Sequence, residues 1–453
     1  MAEAHCCSIA IVGGGCSGLL VAVQLLRNGF RGSLAVIEPR ERLGNGLAYA
    51  TSFDGHLLNV PAGKMSALPR EPLHFLEWLR ARHWPDAAPD SFAPRKLYGL
   101  YLQDLLLHTI RDGAGSSFLH IRAEAIGVCA DPGGVRLSLN GGATVHAERA
   151  VLALGNPASS PCPGVTRHGL EDRWHLSPWF GDALRVRFAG ERVLLLGTGL
   201  SAVDSALALQ SQEMPCAVHM LSRRGLLPQV HNLAVPVSVP PLLRNRGNLR
   251  LLLRELRTHI EDARQADRCW RAIVDALRPV SNEVWQQLRV ADRKRFIRHL
   301  KPYWESHRHR LAPEIRARLD GYRASGSLQI IAGRLQAVHS HEGTSQVRLG
   351  LKRGGEQLLE VDRIISCTGI QENYSNSPRP LIRALVESGL ACANDLGIGF
   401  RTDPHGAILD TALTPSSVLF TLGPPRRGEL FETTAVPEIR AQAEALAIYL
   451  AAQ

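Results

Sequence analysis

Residues 9–18 read IAIVGGGCSG, and residues 192–202 read RVLLLGTGLSA. Each is a short apolar run suited to a buried strand, then a glycine turn, then a stretch of small and aliphatic residues suited to a helix. The spaced small residues are Gly13, Gly15 and Gly18 in the first copy, and Gly197, Gly199 and Ala202 in the second. The strands that follow end in opposite charges. SLAVIE, 33–38, closes on Glu38, 20 residues after Gly18; CAVHMLS, 216–222, runs into Arg223 and Arg224, the first of them 21 residues after Ala202.

In a strand-turn-helix unit of this kind the first glycine makes the turn and the second lets a pyrophosphate approach backbone. The third allows close helix-strand packing, with the phosphates at the helix N-terminus. An acid closing the second strand accepts hydrogen bonds from ribose hydroxyls, whereas an arginine pairs with a 2′-phosphate. The first unit therefore predicts FAD and the second NADPH. Two such units in order, each in strand-turn-helix context, carry far more weight than one.

The 453 residues suffice for about three domains. Apolar content of 45% and charged content of 21% are those of an ordinary globular protein. No run approaches the ~20 apolar residues of a membrane span. The first strand is under way by Ser8, so no stretch has the anatomy of a signal peptide and the expected compartment is the cytoplasm. Nine cysteines at irregular spacing do not form a disulfide framework, and no CxxC or CxxxxC pair occurs, which excludes a dithiol reductase of the usual spacing. The net charge of +10 is concentrated. Residues 241–325 hold 20 Lys plus Arg against 10 Asp plus Glu, while the remainder balances at 32 against 32. That excess suits an anionic ligand or a partner, or simply a solvated helix surface. No recognised nucleic-acid motif is present, and no membrane contact is expected.

The pattern predicts an α/β fold of two Rossmann-like dinucleotide-binding domains with a helical insertion in the second. The FAD domain takes 1–160 and 363–453, and the NADPH domain takes 161–235 and 326–362. Between 236 and 325 apolar residues recur at helical spacing, as in Leu249, Leu252, Leu253, Leu256 and Ile260, and prolines punctuate the run. A proline-rich crossing, PASSPCPG (157–164), separates the nucleotide domains. His307 and His309 sit two apart on one helix and so face different sides, with no Cys or carboxylate cluster beside them; no metal site is expected. Arg308 or Arg310 suits an anion, an NADPH phosphate or an acidic substrate, better than a metal; otherwise the stretch is a basic helix face.

Glycines at the crossings, Gly155 and Gly369, resemble those of the two-dinucleotide-binding-domain flavoproteins. GLAYATSFDGHLLNVPAGKMSALP (46–69), HLKPYWESHRHRLAPEI (299–315) and TLGPPRRGELFETTAVPEIRAQAEALA (421–447) resemble a bacterial FAD/NAD(P)-binding family whose members are mostly uncharacterised. The HxxxW spacing His175–Trp179, ahead of the second glycine turn, is similar to the distal part of the class B flavin monooxygenase signature, which spans N-hydroxylating and Baeyer–Villiger types. The proximal part departs, with Gly169 and Glu171 where that signature has Phe and Gly. The resemblance implies that 56–66 passes the isoalloxazine ring, making Asn59 and Lys64 candidates. It also implies that Gly423, Thr433, Thr434 and a helix starting near Pro437 face the flavin's electron-rich edge. For NADPH the candidates are Gly197, Gly199, Ser201, Arg223 and Arg224. The expected activity is an FAD-dependent, NADPH-consuming monooxygenase using O2 on a small-molecule substrate. The alternatives are an NADPH dehydrogenase or reductase with another acceptor, and a redox sensor without turnover. No catalytic acid or base and no oligomeric state is assigned.

Overall fold

The computed structural model describes residues 3–113, 115–131, 133–156, 165, 168–232, 243–369 and 373–452. The proline-rich crossing and the start of the insertion, 236–242, lie outside them. The first sheet is built from β1 (Ala4–Val12), β2 (Ser33–Ile37), β3 (Ser117–Ile121), β4 (Ala125–Asp131), β5 (Gly134–Leu139), β6 (Thr144–Leu152), β14 (Ala407–Leu409) and β15 (Pro415–Thr421). Its order is β14-β15-β6-β1-β2-β3, with the β4–β5 hairpin added to β6. β1 runs parallel to both β2 and β6. This is the doubly wound arrangement that alternating strands and helices produce.

The second half of β1, Ile9–Val12, is apolar at every position because both of its faces are buried. Ile9 and Ile11 pack into one core with α1 (Cys16–Arg27), α3 (Arg95–Asp112) and α12 (Val436–Ala451). Ala10 and Val12 face the opposite core, under the β4–β5 hairpin and α11 (Pro380–Glu387). α2 (His74–Arg82) closes the first core from outside, through Phe75, Leu76 and Leu79.

The second sheet holds β7 (Trp174–His175), β8 (Glu191–Leu196), β9 (Cys216–Ser222), β10 (Leu328–His341), β11 (Thr344–Leu351), β12 (Glu356–Val361) and β13 (Arg363–Ser366), in the order β12-β11-β10-β9-β8-β13-β7. β8 repeats the two-sided pattern. Val193 and Leu195 pack on α4 (Leu200–Gln210), and Leu194 and Leu196 pack on Trp174 and the β10–β12 extension. One boundary is corrected. The return to the FAD domain was expected at 363, but β13 pairs in parallel with β8 and β7 and so belongs to the second sheet.

The insertion is α5 (Leu249–Gln265), α6 (Trp270–Ala276), α7 (Ser281–Gln287), α8 (Val290–Arg295), α9 (Lys301–Arg308) and α10 (Pro313–Ala324). Asn248 caps α5 by accepting the N–H groups of Arg250 and Leu251. The insertion does not pack on the second sheet alone. Trp285 stacks on Phe431 at 4.7 Å and donates to the Gly428 carbonyl at 3.0 Å, and Arg278 pairs with Glu438. The helices thus fasten the tail of the first domain to the second.

Candidate functional site

The two glycine turns superpose in their bonding. Gly13 N–H donates to the Ile37 carbonyl (2.9 Å), and Gly197 N–H donates to the Leu221 carbonyl (2.7 Å). Both glycines have left-handed φ, +101° and +130°. A Cβ on either would lie 2.4 Å from a crossing-strand carbonyl oxygen, that of Ala153 or of Cys367. α1 and α4 start at Gly15 and Gly199 with no capping side chain and no acid in the first turn, so their leading N–H groups are open to an anion. Nothing lies within 4 Å of a Cβ placed on Gly199. Gly18 is pressed to Gly13, as the third glycine of such a unit requires.

Glu38 is buried. One carboxylate oxygen accepts the Gly14 N–H (3.0 Å), and the other accepts both the N–H (3.1 Å) and the guanidinium (3.2 Å) of Arg40. This fixes an acceptor beside the turn, where a ribose would meet it. At the corresponding place in the second unit Arg223 is exposed. Arg224 is not free: its guanidinium lies 4.6 Å over the Tyr303 ring and donates to the His299 carbonyl (3.0 Å). The donors of both units fit a dinucleotide, with the acid in the first and the exposed arginine in the second.

Between the units stands a group that the sequence pattern did not reveal. Asp204, on α4, is buried and pairs with Arg95 of the first domain at 2.7 Å. Its carbonyl accepts from His56 Nε2 (3.0 Å), leaving His56 Nδ1 to accept from the Thr51 hydroxyl (2.7 Å). Burial pushes the His56 imidazole below its ordinary range, which keeps it neutral near pH 7. Trp179 sets its ring edge-on to His56 at 5.7 Å, so the HxxxW segment reaches the junction of the domains. A second link is His231, whose Nε2 donates to the Asn59 carbonyl (2.9 Å). Asp204 sits inside an apolar helix pattern, and only its being a lone carboxylate there could have marked it.

The remaining candidates divide. Gly423 has φ +70° and lies against Ser17 of α1, so the C-terminal segment does meet the first glycine turn. Thr433 donates to the Gly423 carbonyl (3.0 Å) and accepts from Gln442 (2.9 Å), which makes it a brace for that segment. Thr434 is half-buried just before Ala435, the N-cap of α12, and Pro437 falls inside the first turn. Lys64 is exposed, Ser201 is half-buried at the start of α4, and Gly155 and Gly369 turn with positive φ in open space. Arg310 is buried on Asp275 (2.9 Å) and so is structural. Arg308, nine-tenths buried, faces the equally buried Glu432 at 3.4 Å. Two of its nitrogens and one Glu432 oxygen make no hydrogen bond among the described residues. His307 packs on Trp270, and His309 is held neutral by burial.

Residues 10–157 match the FAD-NAD(P)-binding family. That match covers about a third of the chain and describes an FAD/NAD(P)-binding domain, and the two sheets with their glycine turns give the whole chain the two-dinucleotide-binding-domain fold. The uncharacterised protein YdhS of Escherichia coli is 23% identical over 331 residues, 63% of this chain and 60% of that protein's length. The architecture is that of L-lysine 6-monooxygenase from Pseudomonas syringae (TM-score 0.66, 16% identity, 98% of this chain and 99% of that one). It is also that of the Kutzneria sp. 744 ornithine N-hydroxylase KtzI, solved with reduced FAD, NADP+ and L-ornithine (TM-score 0.64, 15% identity, 98% of each chain). The bacillithiol disulfide reductase Bdr of Staphylococcus aureus shares it less closely (TM-score 0.57, 13% identity, 99% of each chain). No helix among the described residues is long and apolar enough to cross a membrane.

Proposed function

We propose that this protein is an FAD-dependent, NADPH-consuming monooxygenase of class B type, acting on a small polar metabolite with O2 in the cytoplasm. The observation that carries the reading is the junction itself: Trp179 of the HxxxW segment packs on His56, which holds the α4 backbone of the second glycine unit. Flavin, when bound, accepts hydride from the nicotinamide and passes the electrons to oxygen. The chain's part is to bring the two nucleotides together and keep water out. Glu38 and the α1 N-terminus would hold the FAD adenosine half, with Gly423 and the start of α12 at the other end. Gly197, Gly199, Ser201 and Arg223 would hold NADPH. Arg224 acts indirectly, by fixing the start of α9 through His299 and Tyr303. The buried Arg308–Glu432 pair offers a donor and an acceptor to a polar substrate.

The test is coupled turnover. NADPH oxidation, O2 uptake and hydrogen peroxide release are measured against a panel of amino acids, amines, ketones and sulfides. A monooxygenase is expected to show one compound that suppresses peroxide release and appears as a hydroxylated product. Reduction of artificial acceptors with no such product across the panel would make it a reductase, the reading that the Bdr-like fold also accommodates. The cofactor assignment has its own expectation. Arg223→Ala should raise KM for NADPH roughly tenfold to a hundredfold, the worth of one or two charge-assisted hydrogen bonds, and leave NADH unchanged. Equal losses for both nucleotides would refute the 2′-phosphate role.

A further inference from the structure

We propose that the 2′-phosphate of NADPH is read by three separated parts of the chain together: Arg223 at the end of β9, Lys301 at the start of α9, and Arg427 in the C-terminal segment of the FAD domain. The inference rests on reading the second glycine unit as an NADPH site and extends that site beyond it. Two of the three groups share one anchor. Lys301 Nζ lies 3.5 Å from a Glu305 carboxylate oxygen, and the Arg427 guanidinium lies 3.4 Å from the same oxygen. Arg224 pins the neighbouring residues, donating to the carbonyl of His299 and stacking on Tyr303, so the first turn of α9 is fixed beside the strand end that carries Arg223.

The charge balance of this cluster is incomplete. Lys301 and Arg427 share the single carboxylate of Glu305, and exposed Arg223 has no ion-pair partner among the described residues. These three cations against one carboxylate leave a surplus of two positive charges, to which the neighbouring Arg224 adds a third, and a 2′-phosphate monoester would bring close to two negative charges at neutral pH. The surplus has a visible cost. Burial, and after it the fields of Arg427 and Arg223, push the Lys301 ammonium below its ordinary range, with Glu305 opposing them. A phosphate in the cluster would relieve that repulsion.

Many other cations of the insertion are already engaged: Arg246 with Glu283, Arg289 and Arg295 with Asp292, Arg310 with Asp275, Arg316 with Asp320. The basic excess of residues 241–325 thus has a local use at the start of α9. A phosphate bound there would touch the second nucleotide domain, the insertion and the tail of the first domain at once. Discrimination between NADPH and NADH would then depend on residues outside the glycine unit.

The experiment is calorimetric titration of the purified flavin-bound protein with 2′,5′-ADP and, as control, 5′-AMP. Wild type is expected to bind 2′,5′-ADP more tightly. Lys301→Met and Arg427→Met should each weaken 2′,5′-ADP about tenfold without changing 5′-AMP, and Lys301→Arg should retain most of the affinity. Glu305→Gln should tighten 2′,5′-ADP, a gain that loss of a structural contact would not produce. Wild-type 2′,5′-ADP affinity in both methionine variants, alongside a loss in Arg223→Ala, would overturn the three-part site and confine recognition to the strand end. If Arg223→Ala were equally silent, the NADPH reading would fall with it.

Discussion

Gly18→Ala is expected to give a chain that does not fold or that is purified without flavin, whereas Gly199→Ala folds, keeps its flavin and loses affinity for NADPH. The two positions belong to the same kind of motif but differ in what a methyl group would meet. On Gly18 it would stand 1.8 Å from the Gly13 carbonyl oxygen, a backbone atom at the centre of the turn. Relief requires α1 to move off β1, which breaks the core of Ile9, Ile11 and Leu19 as well as the phosphate-facing N-terminus. Ordinary overpacking already costs roughly 1–3 kcal/mol, and a backbone clash of this depth should cost more. On Gly199, φ is −79° and no atom lies within 4 Å, so the fold has no objection. The methyl would occupy the approach to the α4 N-terminus, and a loss of about tenfold in KM for NADPH is expected. Visible flavin absorbance per mole of protein separates the two variants, and steady-state kinetics completes the comparison. An unchanged KM in Gly199→Ala would mean that the second turn does not carry the dinucleotide phosphates.

Both glycine turns, the acid closing β2 and the arginines closing β9 were legible because their reasons are local: positive φ, close approach and strand-end chemistry operate within some forty residues. Other features depend on residues that meet only in the folded chain. Asp204 and His56 are 148 residues apart, and beyond its being a lone carboxylate nothing in LSAVDSALALQ marks Asp204 as a junction residue. Helical periodicity showed that the insertion has buried faces but not that Trp285 would lie on Phe431 of the other domain. The misplaced boundary at 363 has the same origin. A short run with two isoleucines at its centre, such as RIIS, announces a buried strand, and either mixed sheet would accept it; the partner is set by the neighbouring Glu191 and Val193 of β8.

That last pair carries the second large effect. Glu191→Leu is expected to lower unfolding free energy by about 3–5 kcal/mol, while the double change Glu191→Leu/Arg363→Met returns most of the loss. Arg363 and Glu191 have side chains fully withdrawn from solvent and meet at 2.9 Å. Removing the carboxylate leaves a guanidinium whose described partners are the carbonyls of Arg185 (2.8 Å) and Asp182 (3.4 Å), its Nε already without one. Burial holds Arg363 below its ordinary pKa, so its charge is already disfavoured before the carboxylate is taken away. Replacing both partners removes the buried stranded charge; Arg187, which also bonds Glu191 through its guanidinium (2.7 Å) and its N–H (3.0 Å), is about a third exposed and can turn to water, so the double variant should still recover. Urea unfolding of the two single variants and the double variant gives the coupling directly. Glu191 begins β8 and Gly197 follows its end, roughly 20 Å away at the rise of a strand. Flavin content and KM for NADPH should therefore stay near wild type wherever the variants are folded. A fall in NADPH affinity equal to the fall in stability would instead mean that the base of β8 and the glycine turn move as one unit, with the Arg363–Glu191 pair setting the geometry of the nucleotide site as well as the stability of the sheet.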